Sequence, residues 1–163
     1  MTAAPWIAVV GPGDADPEEV ERAEAVGTAV ARAGATLVCG GLGGVMAAAC
    51  RGADRAGGVT VGLLPGDRRQ DANRWVHVAL PTGLGEGRNV LIIRAADALV
   101  AIGGGWGTLS EIALALRAGV PVVGLDSWEP TRAGGPKGAV VSADDPERAV
   151  REALRLAGRG GHG

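Results

Sequence analysis

The chain has 163 residues, of which 47% are apolar and 21% charged, and its formal net charge is −2. This length and composition fit one globular domain with its own core, and they exclude a disordered or fibrous chain. The sequence lacks a basic stripe, a signal sequence and an apolar run near the ~20 residues of a membrane helix, so we expect a soluble cytoplasmic protein that binds neither nucleic acid nor membranes.

Short apolar runs alternate along the chain with segments of helical period. In chain order, the predicted elements are a strand at 6–10, a helix at 17–33, a strand at 36–39, a helix at 45–56, a strand at 59–64, a loop at 67–74, a strand at 75–79, a helix at 87–96, a strand at 98–102, a helix at 109–118, a strand at 122–125, a loop at 127–138, an edge strand at 139–141 and a helix at 146–157.

Uniformly apolar strands that alternate with helices are typical of a parallel sheet covered on both faces. The predicted fold class is therefore α/β, a single-domain Rossmann-like doubly wound parallel sheet with helices on both faces. Residues 1–157 form the predicted domain, and the glycine-rich residues 158–163 form a flexible tail. Asp16 and Pro17 are typical of a helix start and Gly34 of a helix end, while either Asp144 or Asp145 caps the last helix.

Three predicted strands end in glycine clusters, at 11–13, 40–44 and 103–105. The carboxyl ends of parallel strands share one edge of a sheet, so these clusters are expected to line one binding cleft. A dinucleotide site fits poorly, because Asp16 stands where the third glycine of the fingerprint belongs and Cys39 ends the second strand in place of an acidic residue. Since no glycine turn precedes Lys-Ser or Lys-Thr, a Walker A loop is also excluded, which leaves one phosphate or a mononucleotide.

The most informative segment runs from Gly103 to Glu111, where an apolar strand leads through a glycine turn into a helix. Free backbone N–H groups at a helix start, with the helix dipole behind them, bind phosphate. Glu111 has two open interpretations: a capping box with Thr108, or a carboxylate that acts on the ligand. Arg88 is either a solvated surface arginine or faces an anionic ligand, and Asn89 is either a contact of that ligand or a helix-start residue.

Together these residues resemble the LONELY GUY family and its relatives. The segment from Cys39 to Met46 is similar to the first glycine motif of that family, and Gly104-Gly105-Trp106-Gly107-Thr108 with Glu111 matches its signature Gly-Gly-x-Gly-Thr-x-x-Glu. The resemblance implies a phosphoribohydrolase that releases the base from a nucleoside 5′-monophosphate and leaves ribose 5-phosphate. It also implies a homodimer or higher homo-oligomer, with the active site near the subunit interface and no cofactor. From the residues themselves no metal-binding arrangement emerges.

Carried onto this chain, the resemblance makes Glu111 the catalytic carboxylate. It makes Arg88 a second catalytic residue, matching the arginine of the family's segment before the central strand. Gly104, Gly105, Gly107 and Thr108 would then hold the 5′-phosphate. The other candidate residues for binding the nucleotide are Gly41, Gly43, Gly44, Met46, Asn89, Gly103 and Trp106.

The chain departs from the family pattern at two places. Gly103 stands where the family enzymes have proline, and the arginine segment runs from Gly85 to Asn89 without the histidine and lysine of the family's Met-His-Glu-Arg-Lys. In this respect the chain is similar to an uncharacterised bacterial branch of the family and to the molybdenum cofactor carrier proteins. The alternative function is therefore a non-catalytic carrier of a phosphorylated heterocycle.

Overall fold

The computed structural model describes residues 3–135 and 139–159. Seven strands form one sheet: β1 (Trp6–Val10), β2 (Thr36–Cys39), β3 (Val59–Leu64), β4 (Val78–Pro81), β5 (Ala98–Ile102), β6 (Val122–Leu125) and β7 (Val140–Ala143). Five α-helices accompany them: α1 (Pro17–Arg32), α2 (Val45–Arg55), α3 (Arg88–Ala95), α4 (Trp106–Ala118) and α5 (Pro146–Ala157). No helix within the described ranges combines the length and the apolar character that crossing a membrane requires.

The strands lie in the order β4-β3-β2-β1-β5-β6-β7, and every neighbouring pair is parallel. The strand side chains alternate between two cores, so that Ile7 and Val9 face one layer while Ala8 and Val10 face the other. Helices α1, α2 and α5 cover the first face, and α3 and α4 cover the second. The predicted doubly wound α/β class is confirmed.

Several helix ends follow directly from the sequence. The Asp16 side chain accepts from the Glu19 N–H at 2.8 Å, and the Glu19 carboxylate accepts from the Asp16 N–H at 3.0 Å. This reciprocal pair satisfies donors that the first helical turn leaves free. At the last helix, Asp145 is the cap, since its side chain accepts from the Arg148 N–H.

The structure corrects several predicted bounds. The helix predicted at 109–118 begins at Trp106, the strand predicted at 75–79 is Val78–Pro81, and the edge strand predicted at 139–141 is Val140–Ala143. A short 3-10 turn, Arg69–Asp71, lies within the predicted loop at 67–74, and another, Gly85–Gly87, replaces the predicted start of the third helix. Helices α1, α2 and α3 each end one residue earlier than predicted, while both ends of α5 are as predicted. Residues 136–138 of the predicted loop and 160–163 of the predicted tail lie outside the described residues.

The strand order places a crevice at one point of the sheet. The chain builds β1 to β4 outward in one direction and then returns to place β5 on the other side of β1. The loops that leave β1 and β5 therefore turn to opposite faces, one into α1 and the other into α4. In open α/β sheets, ligands bind at this switch point, beyond the carboxyl ends of the strands.

Candidate functional site

A cavity of about 460 Å³ opens at the switch point, between the loops after β1 and β2 and the first turns of α3 and α4. Seven of the predicted site residues line it together, although they come from three separate parts of the chain. They are Met46, Arg88, Asn89, Gly105, Gly107, Thr108 and Glu111.

Six predicted site residues lie outside this lining: Gly41, Gly43, Gly44, Gly103, Gly104 and Trp106. Some of them shape the loops that do line it. Gly44 is the residue before α2, and its φ of +61° lies in the left-handed region that favours glycine. A Cβ at this position would overlap the carbonyl oxygen of Pro12, so the glycine lets the loops after β1 and β2 pack against each other.

The cavity also has lining residues that were not among the predicted site residues. These are Val9, Val10, Gly11, Pro12, Gly13, Gly40, Leu42, Pro65 and Glu86. For the glycines the signal was present, since their clusters were expected to converge on this edge. Pro65 and Glu86 carry no such signal, because only the pairing of β3 with β2 and the position of α3 bring them to the site.

The start of α4 differs from the capping-box interpretation. Gly105, with extended dihedral angles, precedes the helix, and no side chain caps it. Thr108 is therefore already the third helical residue and Glu111 lies a further turn along, so the structure does not support the capping-box interpretation of these two residues. The first N–H groups of a helix have no partner within that helix. At α4 they lie beside Gly105 and Gly107, which line the cavity.

The hydroxyl of Thr108 is an unsatisfied polar group at this position. The residue is only 2% exposed, and its Oγ1 has no hydrogen-bond partner in the described structure. Leaving a buried hydroxyl without a partner costs about 1–3 kcal/mol. Since Thr108 lines the cavity, a ligand that carries an acceptor oxygen could satisfy it.

Arg88 lies almost entirely inside the protein, with 8% of its surface exposed. Its Nε donates to the Leu63 carbonyl at 2.7 Å, its Nη2 donates to the Gly40 carbonyl at 3.3 Å, and its Nη1 donates to the Asn89 side-chain oxygen. All three acceptors are neutral. Within the described ranges no carboxylate lies within 4 Å of the guanidinium, so its positive charge stays uncompensated beside the cavity.

Glu111 is the carboxylate with the most perturbed environment. Burial raises its pKa from the usual 4.5 to about 7, and the charge of Arg88 opposes this rise. For Arg88, burial lowers the pKa, while Glu111 and other negative groups act in the opposite direction. The two side chains are thus coupled through the cavity without forming a direct ion pair. A carboxyl group that titrates near neutral pH is suited to proton transfer.

Asn73 holds the glycine loop after β2, although its role was not foreseen from the sequence. Its backbone N–H donates to the Gly41 carbonyl at 2.8 Å, and its Nδ2 donates to the Leu42 carbonyl at 3.0 Å. Asn73 thereby fixes the wall of the cavity that Leu42 lines. In the sequence it is one polar residue of a predicted loop, and only the fold shows which loop it meets.

The turn before α4 has a conformation that proline cannot adopt. Gly103 has φ +68°, whereas the proline ring fixes φ near −65°. A Cβ at Gly103 would also overlap a carboxylate oxygen of Glu19. The proline of the family pattern is therefore incompatible with the backbone of this turn.

Cys39 and Cys50 lie below the glycine loop, with their sulfur atoms 3.4 Å apart and both residues buried as free thiols. The Gly41 N–H donates to the Cys39 sulfur at 3.3 Å, so one of the thiols also supports the loop. Across the described part of the chain, no group of three or more His, Cys, Asp or Glu side chains is placed to hold a metal ion.

Comparisons with known proteins agree with this architecture. The model of the SLOG cluster4 family matches residues 4–150. An uncharacterized protein of Archaeoglobus fulgidus is 44% identical over 120 residues, which are 73% of this chain and 78% of that protein. The molybdenum cofactor binding protein of Rippkaea orientalis superposes with a TM-score of 0.85 at 32% identity, over 96% of this chain and 99% of that one. The Moco carrier protein of Chlamydomonas reinhardtii gives a TM-score of 0.86 at 36% identity, with the same shares.

Proposed function

The chain belongs to the SLOG cluster4 family, and on this basis we propose that it binds a phosphorylated heterocycle in the cavity at the switch point. The observation that carries the proposal is the buried, unpartnered hydroxyl of Thr108 at the start of α4. Together with the free N–H groups of that helix start and the uncompensated charge of Arg88, it supports an anion site. A phosphate group supplies both the negative charge and the acceptor oxygens that these donors lack.

We further propose that the bound ligand is a nucleoside 5′-monophosphate whose glycosidic bond is hydrolysed. In this reaction water attacks C1′ of the ribose, the bond from C1′ to the base nitrogen breaks, and the base leaves with the electron pair and takes up a proton. Positive charge grows on the ribose as the bond breaks. The carboxylate of Glu111 would stabilise that charge and accept a proton from the attacking water.

The phosphate would make the reaction efficient by fixing the ribose against Glu111. Binding energy from a group that does not react can align the reacting atoms. The place of Glu111 supports this role, because it lies one helical turn after Thr108 and so on the same side of α4. Arg88 would lower the pKa of Glu111 and so increase the fraction that is ionised near neutral pH.

A second candidate is a carrier that holds a phosphorylated heterocyclic cargo without converting it. Two observations favour it: the similarity to molybdenum cofactor carrier proteins across 96% of the chain, and the path of the backbone at Gly103, which differs from any turn that contains proline. The same helix start would then hold the phosphate of the cargo, and Glu111 would contact the cargo rather than react.

Incubation with AMP, GMP and CMP, followed by chromatography for free base and ribose 5-phosphate, separates these functions. We expect the parent protein to release base, and Glu111→Gln to bind the nucleotide at least as tightly, since it lacks the negative charge, but to react about a hundred-fold or more slowly. Ser110→Ala, an exposed change on the same helix, is the matched control. Tight binding without any release of base would favour the carrier, and binding of neither nucleotides nor inorganic phosphate would refute both candidates.

We also propose that the protein acts as a cytoplasmic homodimer on this small-molecule ligand and not on nucleic acid. Val90 and Leu91 on α3 are 44% and 40% exposed, which supports an interface on this helix. Light scattering coupled to size exclusion would show a dimer, and Val90→Glu should shift it to monomer.

A further inference from the structure

Two thiols lie in contact below the glycine loop, and the proposed function uses neither of them. Cys39 ends β2 immediately before that loop, and Cys50 lies in α2 among the buried residues that pack against the sheet. Their sulfur atoms are 3.4 Å apart, which is hydrogen-bond contact between the two thiols. The chain contains two cysteines, so the fold brings all of its thiols together at one point.

The distance between the sulfur atoms is short enough for a disulfide to form within the existing fold. A disulfide bond is about 2.05 Å long, so the two sulfurs must approach each other by roughly 1.3 Å, which rotations of the two side chains can supply. Packing alone does not require this contact, because a buried cysteine fills space as a small apolar side chain whichever way its sulfur points. The contact therefore favours a reactive pair over two separate core residues.

The surroundings of the two thiols differ, and they favour Cys39 as the nucleophile. The hydrogen bond with Cys50 lowers the pKa of the Cys39 thiol, while burial acts in the opposite direction. The Gly41 N–H, which donates to the Cys39 sulfur at 3.3 Å, and the charge of Arg88 lower this pKa further. For Cys50, the same hydrogen bond and burial both raise the pKa. Since the thiolate is the reactive form, Cys39 attacks an oxidant first and Cys50 follows.

The glycine loop links the pair to the cavity. Gly40 follows Cys39 in the chain and lines the cavity, and its carbonyl accepts from the Nη2 of Arg88 at 3.3 Å. Closing a disulfide moves the Cys39 sulfur toward Cys50, so it disturbs the bond from the Gly41 N–H and, through the loop, the carbonyl that orients Arg88. Both thiols are fully buried, so an oxidant reaches them from the cavity when this loop opens locally.

We propose that Cys39 and Cys50 are an oxidisable dithiol, and that their disulfide lowers the affinity of the cavity for phosphate. The oxidant is a peroxide, which is small enough to pass the opened loop. The Cys39 thiolate attacks one peroxide oxygen, the O–O bond breaks, and the other oxygen leaves as hydroxide and takes up the proton that the thiol released. The Cys50 thiol then attacks the sulfenic sulfur, the S–S bond forms, the S–O bond breaks and a second water leaves. The two thiols are oxidised to one disulfide, and one peroxide is reduced to two waters.

The disulfide rests on the contact between the sulfurs, whatever the cavity binds. Its effect on affinity also rests on the proposed phosphate site, because it acts through Arg88. Thiol labelling therefore tests the first, and titration with inorganic phosphate tests the second.

The experiment treats the parent, Cys39→Ala and Cys50→Ala with hydrogen peroxide, and then counts by intact mass the thiols that N-ethylmaleimide labels in denaturant. We expect the treated parent to lose both labels and to recover both after dithiothreitol. Cys39→Ala should keep its one label, whereas Cys50→Ala, which lacks the second thiol, should gain oxygen on Cys39. Met46 is an internal reference, because it lines the cavity and its sulfoxide shows that peroxide has reached the site.

Titration calorimetry with inorganic phosphate on the same samples measures the link to the cavity. We expect oxidation to weaken phosphate binding by the parent about ten-fold, the effect of one lost hydrogen bond to a charged group. Dithiothreitol should restore the affinity, and since it does not reduce methionine sulfoxide, the recovery assigns the effect to the thiols. Cys39→Ala reports any effect of Met46 oxidation alone.

The dithiol is overturned if the parent still takes up both labels once Met46 is oxidised, or if the lost labels do not return on reduction. If the disulfide forms and the phosphate affinity stays the same, its link to the cavity is overturned. If the reduced parent does not bind phosphate, the proposed function fails and the link fails with it, while the label count still decides whether the disulfide forms.

Discussion

Replacement of Glu111 by glutamine should make the protein more stable at alkaline pH. The pKa of this carboxyl is raised by burial to about 7 in the folded protein, from a usual value of 4.5. As the pH rises above 4.5, the unfolded chain releases the proton of Glu111 while the folded protein retains it until the pH passes about 7. Folding therefore becomes less favourable across this interval, and the cost is complete above it. Glutamine has no proton to lose and avoids the cost.

The magnitude follows from the difference between the two pKa values. One pKa unit corresponds to about 1.4 kcal/mol, so the rise from 4.5 to about 7 corresponds to roughly 3 kcal/mol at pH 8. In a domain of this length, about 1 kcal/mol shifts the Tm by roughly 2–4 °C, which predicts a gain of roughly 6–12 °C. At pH 4 both states of the parent are protonated, and Glu111→Gln should be nearly neutral.

Urea unfolding of the parent and of Glu111→Gln, at intervals from pH 4 to pH 8.5, measures this difference directly. Ser110→Ala, on the exposed side of the same helix, should give a difference that does not vary with pH. The reasoning is refuted if the stability difference between Glu111→Gln and the parent is the same at both ends of the range. It is equally refuted if the glutamine variant is the less stable one at pH 8.

Three further outcomes are expected. Thr108→Val should keep or raise the Tm, because it removes a buried hydroxyl without a partner, and should weaken phosphate binding by about ten-fold, as measured by titration calorimetry. Glu24→Gln should lower the urea stability at pH 7 and lose this effect as the pH falls below 4.5, since two arginines of α2 hold the pKa of Glu24 down. Gly103→Ala should destabilise by about 1–2 kcal/mol or more in urea unfolding, because of its positive φ and its contact with Glu19; unchanged stability would contradict this.

The fold was predictable because its signals are local and agree with one another. Strands β1, β2, β3, β5 and β6 have the predicted bounds, since each is an apolar run between turn residues. The fourth strand was predicted three residues early because Trp75 also belongs to an apolar run. In the structure, the Trp75 carbonyl accepts from the Thr60 hydroxyl at 2.6 Å, and its N–H donates to Asn73. Ladder pairing therefore begins only at Val78, which pairs with Val61.

The sequence indicated where the candidate site lies better than it indicated its local geometry. Seven of the predicted residues line one cavity, because glycine clusters at strand ends converge on one edge of a parallel sheet. The start of α4 was placed three residues late, since Thr108 is a favoured cap and glycines are poor helix formers. The helix could begin after Gly105 or after Thr108, and the surrounding packing decides between them. That packing includes the hydrogen bond from the Trp128 Nε1 to the Gly105 carbonyl, and Gly105 is the extended residue before the helix.

Ionisation of Glu111 should change ligand affinity and the rate of hydrolysis in opposite directions as the pH rises. Deprotonation of Glu111 near pH 7 adds a negative charge beside the proposed phosphate site, so affinity for a phosphorylated ligand should fall as the pH rises above about 7, where the phosphate itself is already a dianion. Hydrolysis needs the ionised carboxylate, so the turnover of bound nucleotide should rise over the same interval. A carrier would show only the first trend. Because Arg88 is bonded to neutral acceptors and not paired with Glu111, its charge favours the phosphate and the ionised carboxylate at once. Opposite pH dependences of affinity and turnover would therefore indicate a hydrolase, and a decline in affinity alone would indicate a carrier.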